Sequence, residues 1–170
     1  MLIDAKLMID GKEIKTQIEI DEVDLKSIQN KKETGYERSV INHEYSFVDD
    51  EGKVHQEPDV DLEEDNLRFA TANYYSSIDV ARDNTRADQL MRQLRRFAVE
   101  NRKEQIDWRN ERRHKYNLYY SYPAQKIYID FETSCKGFEI YFDSYEVAEQ
   151  AIKKFKDELI WYFTEYKDSL

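Results

Sequence analysis

The chain has 170 residues, 40% of them hydrophobic and 36% charged, with a net charge of −10, enough for one globular domain or two small coupled units around a real core. The acidic balance repels nucleic acid and anionic lipid at long range, and the 4 Gly and 2 Pro are too few for a loop-built or disordered chain. The lone Cys135 excludes an intramolecular disulfide and a Cys-based metal site, and fits a reducing compartment.

Met1–Lys6 carries no long apolar stretch and no run reaches transmembrane length, so a soluble cytoplasmic protein without a signal peptide is expected. Residues 2–9 and 14–20 alternate apolar and polar around Asp10-Gly11, a favoured two-residue turn, and predict an N-terminal hairpin. Residues 22–31 suit a short helix, and 31–36 form a polar linker ending at Gly35. A second hairpin is expected over 44–56: Tyr45 and Phe47 alternate, Asp50-Glu51-Gly52 turns, and Val54 returns. The most acidic stretch follows, carrying Glu57, Asp59, Asp61, Glu63, Glu64 and Asp65. With Pro58 inside it, this stretch reads as an exposed loop.

An eight-residue pattern then organises the rest. Tyr74-Tyr75-Ser76-Ser77-Ile78-Asp79-Val80-Ala81 returns as Tyr141-Phe142-Asp143-Ser144-Tyr145-Glu146-Val147-Ala148. Both copies read as an aromatic strand end, a helix cap and an apolar helical stripe. Ser76 with Asp79 is close to a capping box, and Asp143 with Glu146 repeats it. Val80, Ala87, Leu90, Met91, Leu94, Phe97 and Ala98 share one face of a helix ending near Asn101. A charged segment, Asn101–Lys115, leads to strand candidates at 116–122, 126–131 and 138–142, with a turn at Pro123-Ala124. Val147, Ala151, Ile152, Phe155, Leu159 and Phe163 stripe the last helix. The expected class is α+β: two strand–helix units, antiparallel sheet covered by helices, preceded by a β-hairpin. The expected division is 1–32, 33–104 and 105–170, the last two forming one domain.

Three constellations could carry function. Ile127-Tyr128-Ile129-Asp130-Phe131-Glu132-Thr133 resembles the first motif of the DnaQ-like exonucleases, where an Asp-x-Glu on a strand holds catalytic metal ions. Alternate positions on a strand project two carboxylates to one side, as a two-metal site requires. The later acid and base motifs of that family are missing, since no His follows Thr133. The acidic stretch 57–65 lacks the Gly and ligand spacing of an EF-hand and reads as a solvated loop or a negative interaction surface. Between Arg82 and Lys115, eleven Lys/Arg face six Asp/Glu. Within that stretch Arg92, Arg95, Arg96, Arg102, Arg109, Arg112 and Arg113 could meet phosphate or carboxylate.

Asn73-Tyr74-Tyr75-x-Ser77-x-x-x-Ala81, Leu94-Arg95-Arg96-Phe97-Ala98, Asp107-Trp108 and Tyr141-Phe142-x-Ser144-x-x-x-Ala148-x-x-Ala151-Ile152 together resemble small proteins of phages and prophages of Gram-positive bacteria. Gly35-Tyr36-Glu37-Arg38 before an aromatic strand fits the same pattern, and the resemblance covers roughly residues 33–170. The charged run 109–114 departs from it, where a shorter turn is expected. The resemblance implies a non-enzymatic accessory factor that binds a host macromolecule, most concretely an inhibitor of a CRISPR or other anti-phage defence nuclease. In that reading the acidic residues 57–65 stand in for phosphates, with no cofactor and no metal. The alternatives are a nucleic-acid binder using the Arg-rich face and a metal-dependent nuclease using Asp130 and Glu132.

Overall fold

The computed structural model describes residues 2–9, 12–19, 34–138 and 140–166. They fall into two units, Met1–Glu37 and Arg38–Leu170. In the first, β1 (Leu2–Ile9) and β2 (Lys12–Glu19) pair antiparallel from Leu2↔Glu19 to Ile9↔Lys12. A turn at Asp10-Gly11 is expected between the two strands. The turn itself and the helix expected over 22–31 lie outside the described residues.

The second unit runs β3 (Glu44–Val48), β4 (Val54–Pro58), α1 (Glu63–Ala70), α2 (Ile78–Asn101), β5 (Lys115–Ser121), β6 (Lys126–Glu132), α3 (Tyr145–Lys154) and α4 (Lys156–Trp161), then a π-helical turn, Tyr162–Tyr166. The class is α+β, with each sheet an antiparallel pair. β3 and β4 pair from Glu44↔Pro58 to Val48↔Val54. Gly52, at φ +82°, lets the connecting turn close on the Asp49 carbonyl at 3.0 Å. A Cβ there would also sit 3.2 Å from the Gln89 amide nitrogen.

The internal repeat is structural. Each hairpin receives one further two-way backbone bridge from the segment preceding a long helix. Ser46 and Tyr75 exchange hydrogen bonds of 2.7 and 2.9 Å, and Tyr116 and Phe142 exchange bonds of 2.9 and 2.8 Å. Two residues later a serine caps the helix. The Ser77 hydroxyl accepts from Val80 N at 3.5 Å, and the Ser144 hydroxyl from Val147 N at 3.3 Å. Ala81 and Ala148 follow at the same offset, both fully buried. The caps therefore sit one residue beyond Ser76 and Asp143, where the sequence places them. Asp143 has a different role: its Oδ2 accepts from Lys103 N at 2.7 Å and Glu104 N at 3.1 Å. This fastens the segment after α2 to the start of α3. Among the described residues of the strand expected over 138–142, the ladder is the single bridge at Phe142.

The main core joins Leu90, Leu94, Phe97 and Ala98 of α2 to Ile127, Phe142, Val147, Ala148, Ala151, Phe155 and Leu159. Each fully buried Leu, Ile, Val or Phe side chain in it contributes about 1.5–3 kcal/mol. The β5–β6 hairpin alternates as a half-buried pair should. Leu118, Tyr120, Ile127 and Ile129 pack on the core, while Tyr119, Tyr128 and Asp130 face out. The single helix expected over the last stripe breaks at Phe155, whose backbone (φ −112°, ψ 23°) leaves the helical region. The hydrogen bonds from Phe155 N to Ala151 O and from Leu159 N to Phe155 O, both 2.9 Å, carry the stripe across the break. Phe155 meets Phe97 edge to face at 5.7 Å.

The charged segment between α2 and β5 is pinned by a buried amine. Lys115 is 2% exposed, and its Nζ donates to the carbonyls of Asn110 at 2.7 Å and Thr133 at 2.6 Å. The amine also lies 5.5 Å from the centre of the Trp108 ring. Among the described residues no helix is long and apolar enough to cross a membrane.

Candidate functional site

The exposed acidic loop expected over 57–65 does not form. Glu57 belongs to β4, and Glu63, Glu64 and Asp65 make the first turn of α1. Three carboxylates at a helix N-terminus complement its dipole. Asp65 also turns back: its Oδ2 accepts from Leu62 N at 2.9 Å and Val60 N at 3.1 Å. The helix closes in a Schellman arrangement, with Asn73 N on Arg68 O at 2.9 Å and Ala72 N on Phe69 O at 3.2 Å. Ala72 takes the left-handed position that glycine usually fills, at φ +57°.

Behind this segment lies a buried polar network. Tyr45 and Tyr74, each 1% exposed, stack at 4.0 Å with their planes 6° apart. The Tyr74 hydroxyl donates to Asp59 Oδ2 at 2.9 Å, and the Tyr45 hydroxyl donates to Asp65 Oδ1 at 2.8 Å. Arg38 forks onto Asp59 at 2.9 and 3.1 Å, and Asp61 N adds a bond of 2.9 Å. The Arg38 hydrogen bond outweighs burial and holds the Asp59 carboxyl at a pKa of about 2. Burial, and then the Asp65 carboxylate, push the Tyr45 hydroxyl up to about 12, so it stays a donor. Arg68 pairs with Glu57 and lies 3.6 Å over the Phe47 ring.

The six acids therefore divide. Asp59 and Asp65 are buried, and neither can present charge to a partner. They are structural anchors, contrary to the solvated reading. Glu57 is committed to Arg68. Asp61 points outward but meets Arg38 at 3.2 Å. Glu63 and Glu64 face solvent. What the anchors hold up is apolar: Val40, Ile41, Val60, Leu62 and Leu67 are each between 44% and 69% exposed. Asn42 N bonds the Asp59 carbonyl at 2.6 Å, which sets the Val40–Ile41 turn beside Val60. Asp65 fixes the backbone of Val60 and Leu62. Leu67 stands one turn beyond Glu63 and Glu64, on the outer face of α1. Sequence reasoning missed this aliphatic set, although Leu62-Glu63-Glu64-Asp65 before Leu67 carries a helix-start signal.

The Arg-rich set is split. Arg92 and Arg96 lie on the face of α2 away from Leu90, Leu94, Phe97 and Ala98, while Arg95 flanks Leu94 and Met91, and Arg96 pairs with Glu100 at 2.7 Å. Arg102 ends the helix. Arg109 and Arg112 sit in tight turns closed by the side chains of Asp107 and Asn110 at 2.9 and 3.1 Å. Arg113 is paired with Glu104. Asp130 and Glu132 do share the outer side of β6, opposite Asn117 and Lys115. One Asp130 oxygen accepts from Phe131 N at 2.8 Å. Among the described residues no three His, Cys, Asp or Glu side chains are placed to hold a metal ion together. No family model, no curated protein and no solved structure matches the chain.

Proposed function

We propose that this protein is a non-enzymatic binding module whose contact surface is the aliphatic set Val40, Ile41, Val60, Leu62 and Leu67, bordered by Asp61, Glu63 and Glu64. The observation that carries the reading is that a fully satisfied polar network props five aliphatic side chains into solvent. Scattered exposed apolar residues are ordinary and contiguous ones mark contact sites; here one hydrogen-bonded network holds the backbones that carry Val40, Ile41, Val60 and Leu62. An apolar centre with a charged border is the usual anatomy of a protein interface. Net charge of −10 and the outward carboxylates favour a partner with a basic surface. A nucleic-acid-processing enzyme of a bacterial host offers such a surface in its substrate channel. The resemblance to phage proteins supports a defence nuclease as that enzyme and the host cytoplasm as the place of action.

The test is capture of the partner from a Gram-positive lysate by the wild-type chain, followed by direct binding of the purified pair. Leu62→Asp with Leu67→Asp abolishes binding while the circular dichroism spectrum is kept. Glu63→Lys with Glu64→Lys slows association and flattens its salt dependence. Binding that survives both pairs of changes refutes the reading. A second reading has one observation behind it: no acid pairs with Arg92 or Arg95 among the described residues, and they share a helix face with Arg96. Salt-dependent binding of labelled DNA or RNA that disappears in Arg92→Glu/Arg95→Glu/Arg96→Glu would replace the protein-partner reading by a nucleic-acid one.

A further inference from the structure

A hollow opens away from that surface's residues, between α2, β5, the side chains of Phe138, Ile140 and Phe142, and the π-helical turn. Its volume is about 230 Å³. Its floor is the core itself: Leu94, Phe142 and Leu159 are 3%, 1% and 2% exposed. Its rim carries Phe138, which is wholly exposed and packs on nothing. The one charged residue among the described lining is Arg95. No described acid pairs with this guanidinium, whereas Arg96 on the next position is engaged by Glu100.

We propose that this hollow binds a small amphipathic carboxylate, an aromatic ring or short acyl chain seated on the floor with its carboxylate on Arg95. Three features converge on that class. An engineered hollow of roughly 150 Å³ lined by Leu, Ile and Phe takes benzene, so 230 Å³ admits a ring with a short arm or a comparable acyl chain. Ligand sites are mostly apolar with a few convergent polar groups that fix orientation, and here the polar group is a guanidinium. A guanidinium presents a planar fork that matches a carboxylate, and the contact strengthens beside an apolar wall that excludes water. A neutral alcohol leaves Arg95 unanswered, and an amine is repelled by it.

The experiment is calorimetric titration of the full chain with octanoate and 3-phenylpropionate, beside octan-1-ol and octylamine as chain-matched controls. Saturable one-site binding of at least one carboxylate is expected, roughly tenfold or more tighter than the alcohol or amine. Arg95→Gln, an exposed position whose loss leaves the core intact, erases that preference. Met91→Trp fills the hollow and blocks binding. Should that variant fail to fold, the Arg95→Gln comparison and the ligand series on the native chain still decide. No saturable binding of either carboxylate overturns the proposal, as does equal binding of octan-1-ol or an unchanged affinity in Arg95→Gln. A dimer in sedimentation that falls apart in Phe138→Asp, with no carboxylate bound, also overturns it. The occupant would then be the Phe138 ring of a second copy.

Discussion

The two halves of the larger unit share one frame and close it with different chemistry. In each, a hairpin is bridged once by the segment before a serine-capped helix, and an alanine at the fourth position past the cap residue is fully buried. Around the second bridge the filling is apolar: Phe142, Ile127, Phe97 and Phe155. Around the first it is polar: two stacked tyrosines pinned by Asp59 and Asp65, with Arg38 on the outer side of Asp59. Backbone geometry thus specifies the frame and leaves the glue open. The polar version orders three loop and helix-start backbones that an apolar plug could not reach, because carboxylate oxygens accept from amides and methyl groups do not. It also ties stability to protonation, which the apolar version avoids.

The largest expected effect tests the apolar half. Phe142→Ala removes a ring that is 1% exposed, and urea unfolding should show a loss of about 3–5 kcal/mol. Next comes Asp59→Asn, which keeps the size and leaves Arg38 without its buried counter-charge. A loss of about 2 kcal/mol at pH 7 is expected, the size of the carboxyl's drop from 3.8 to about 2. The Asp59 carboxyl titrates at about 2, below its ordinary value of 3.8, so its stabilisation is full above about pH 4. It fades as pH falls from there through 2, and the gap between wild type and Asp59→Asn should narrow over that window. Hydrogen exchange should show the Asp61 amide opening in acid before the Phe142 and Tyr116 amides. Simultaneous opening would mean the halves are not glued differently in any way that matters. Smaller effects sharpen the likeness of the frames. Ser77→Ala and Ser144→Ala should each cost about 1 kcal/mol, and costs differing by more than twofold would break the equivalence. The smallest change is a gain: Ala72→Gly should stabilise by about 0.5 kcal/mol in thermal unfolding, by relieving the left-handed backbone that ends α1.

The frame was legible because its signals are local. Serine followed by apolar positions at three- and four-residue spacing marks a helix start, and the offset of 67 exposes the two starts together. The one-residue error at both caps has a single cause. Ser76 and Ser77, like Asp143 and Ser144, are adjacent capable side chains, and the preceding bridge decides which oxygen faces the helix amide. The polar network was not legible. Asp59 finds Arg38 and Tyr74 at separations of 21 and 15 residues, and Asp65 finds Tyr45 at 20. Nothing in a run of acids says which will be called inward by a tyrosine on another element. The break at Phe155 and the hollow beside Arg95 are tertiary for the same reason. Each depends on how α2 and the C-terminal helices share one face of the β5–β6 hairpin.

Lys115 gives the molecule a built-in reporter. Acylating reagents attack free amines, and an amine held by two carbonyls beneath an indole offers no approach. Brief treatment with an N-hydroxysuccinimide ester, read by peptide mass mapping, should mark Lys53, Lys103 and Lys153 on the surface and pass over Lys115. Modification at Lys115 would then time the moments when the charged segment between the two halves lets go.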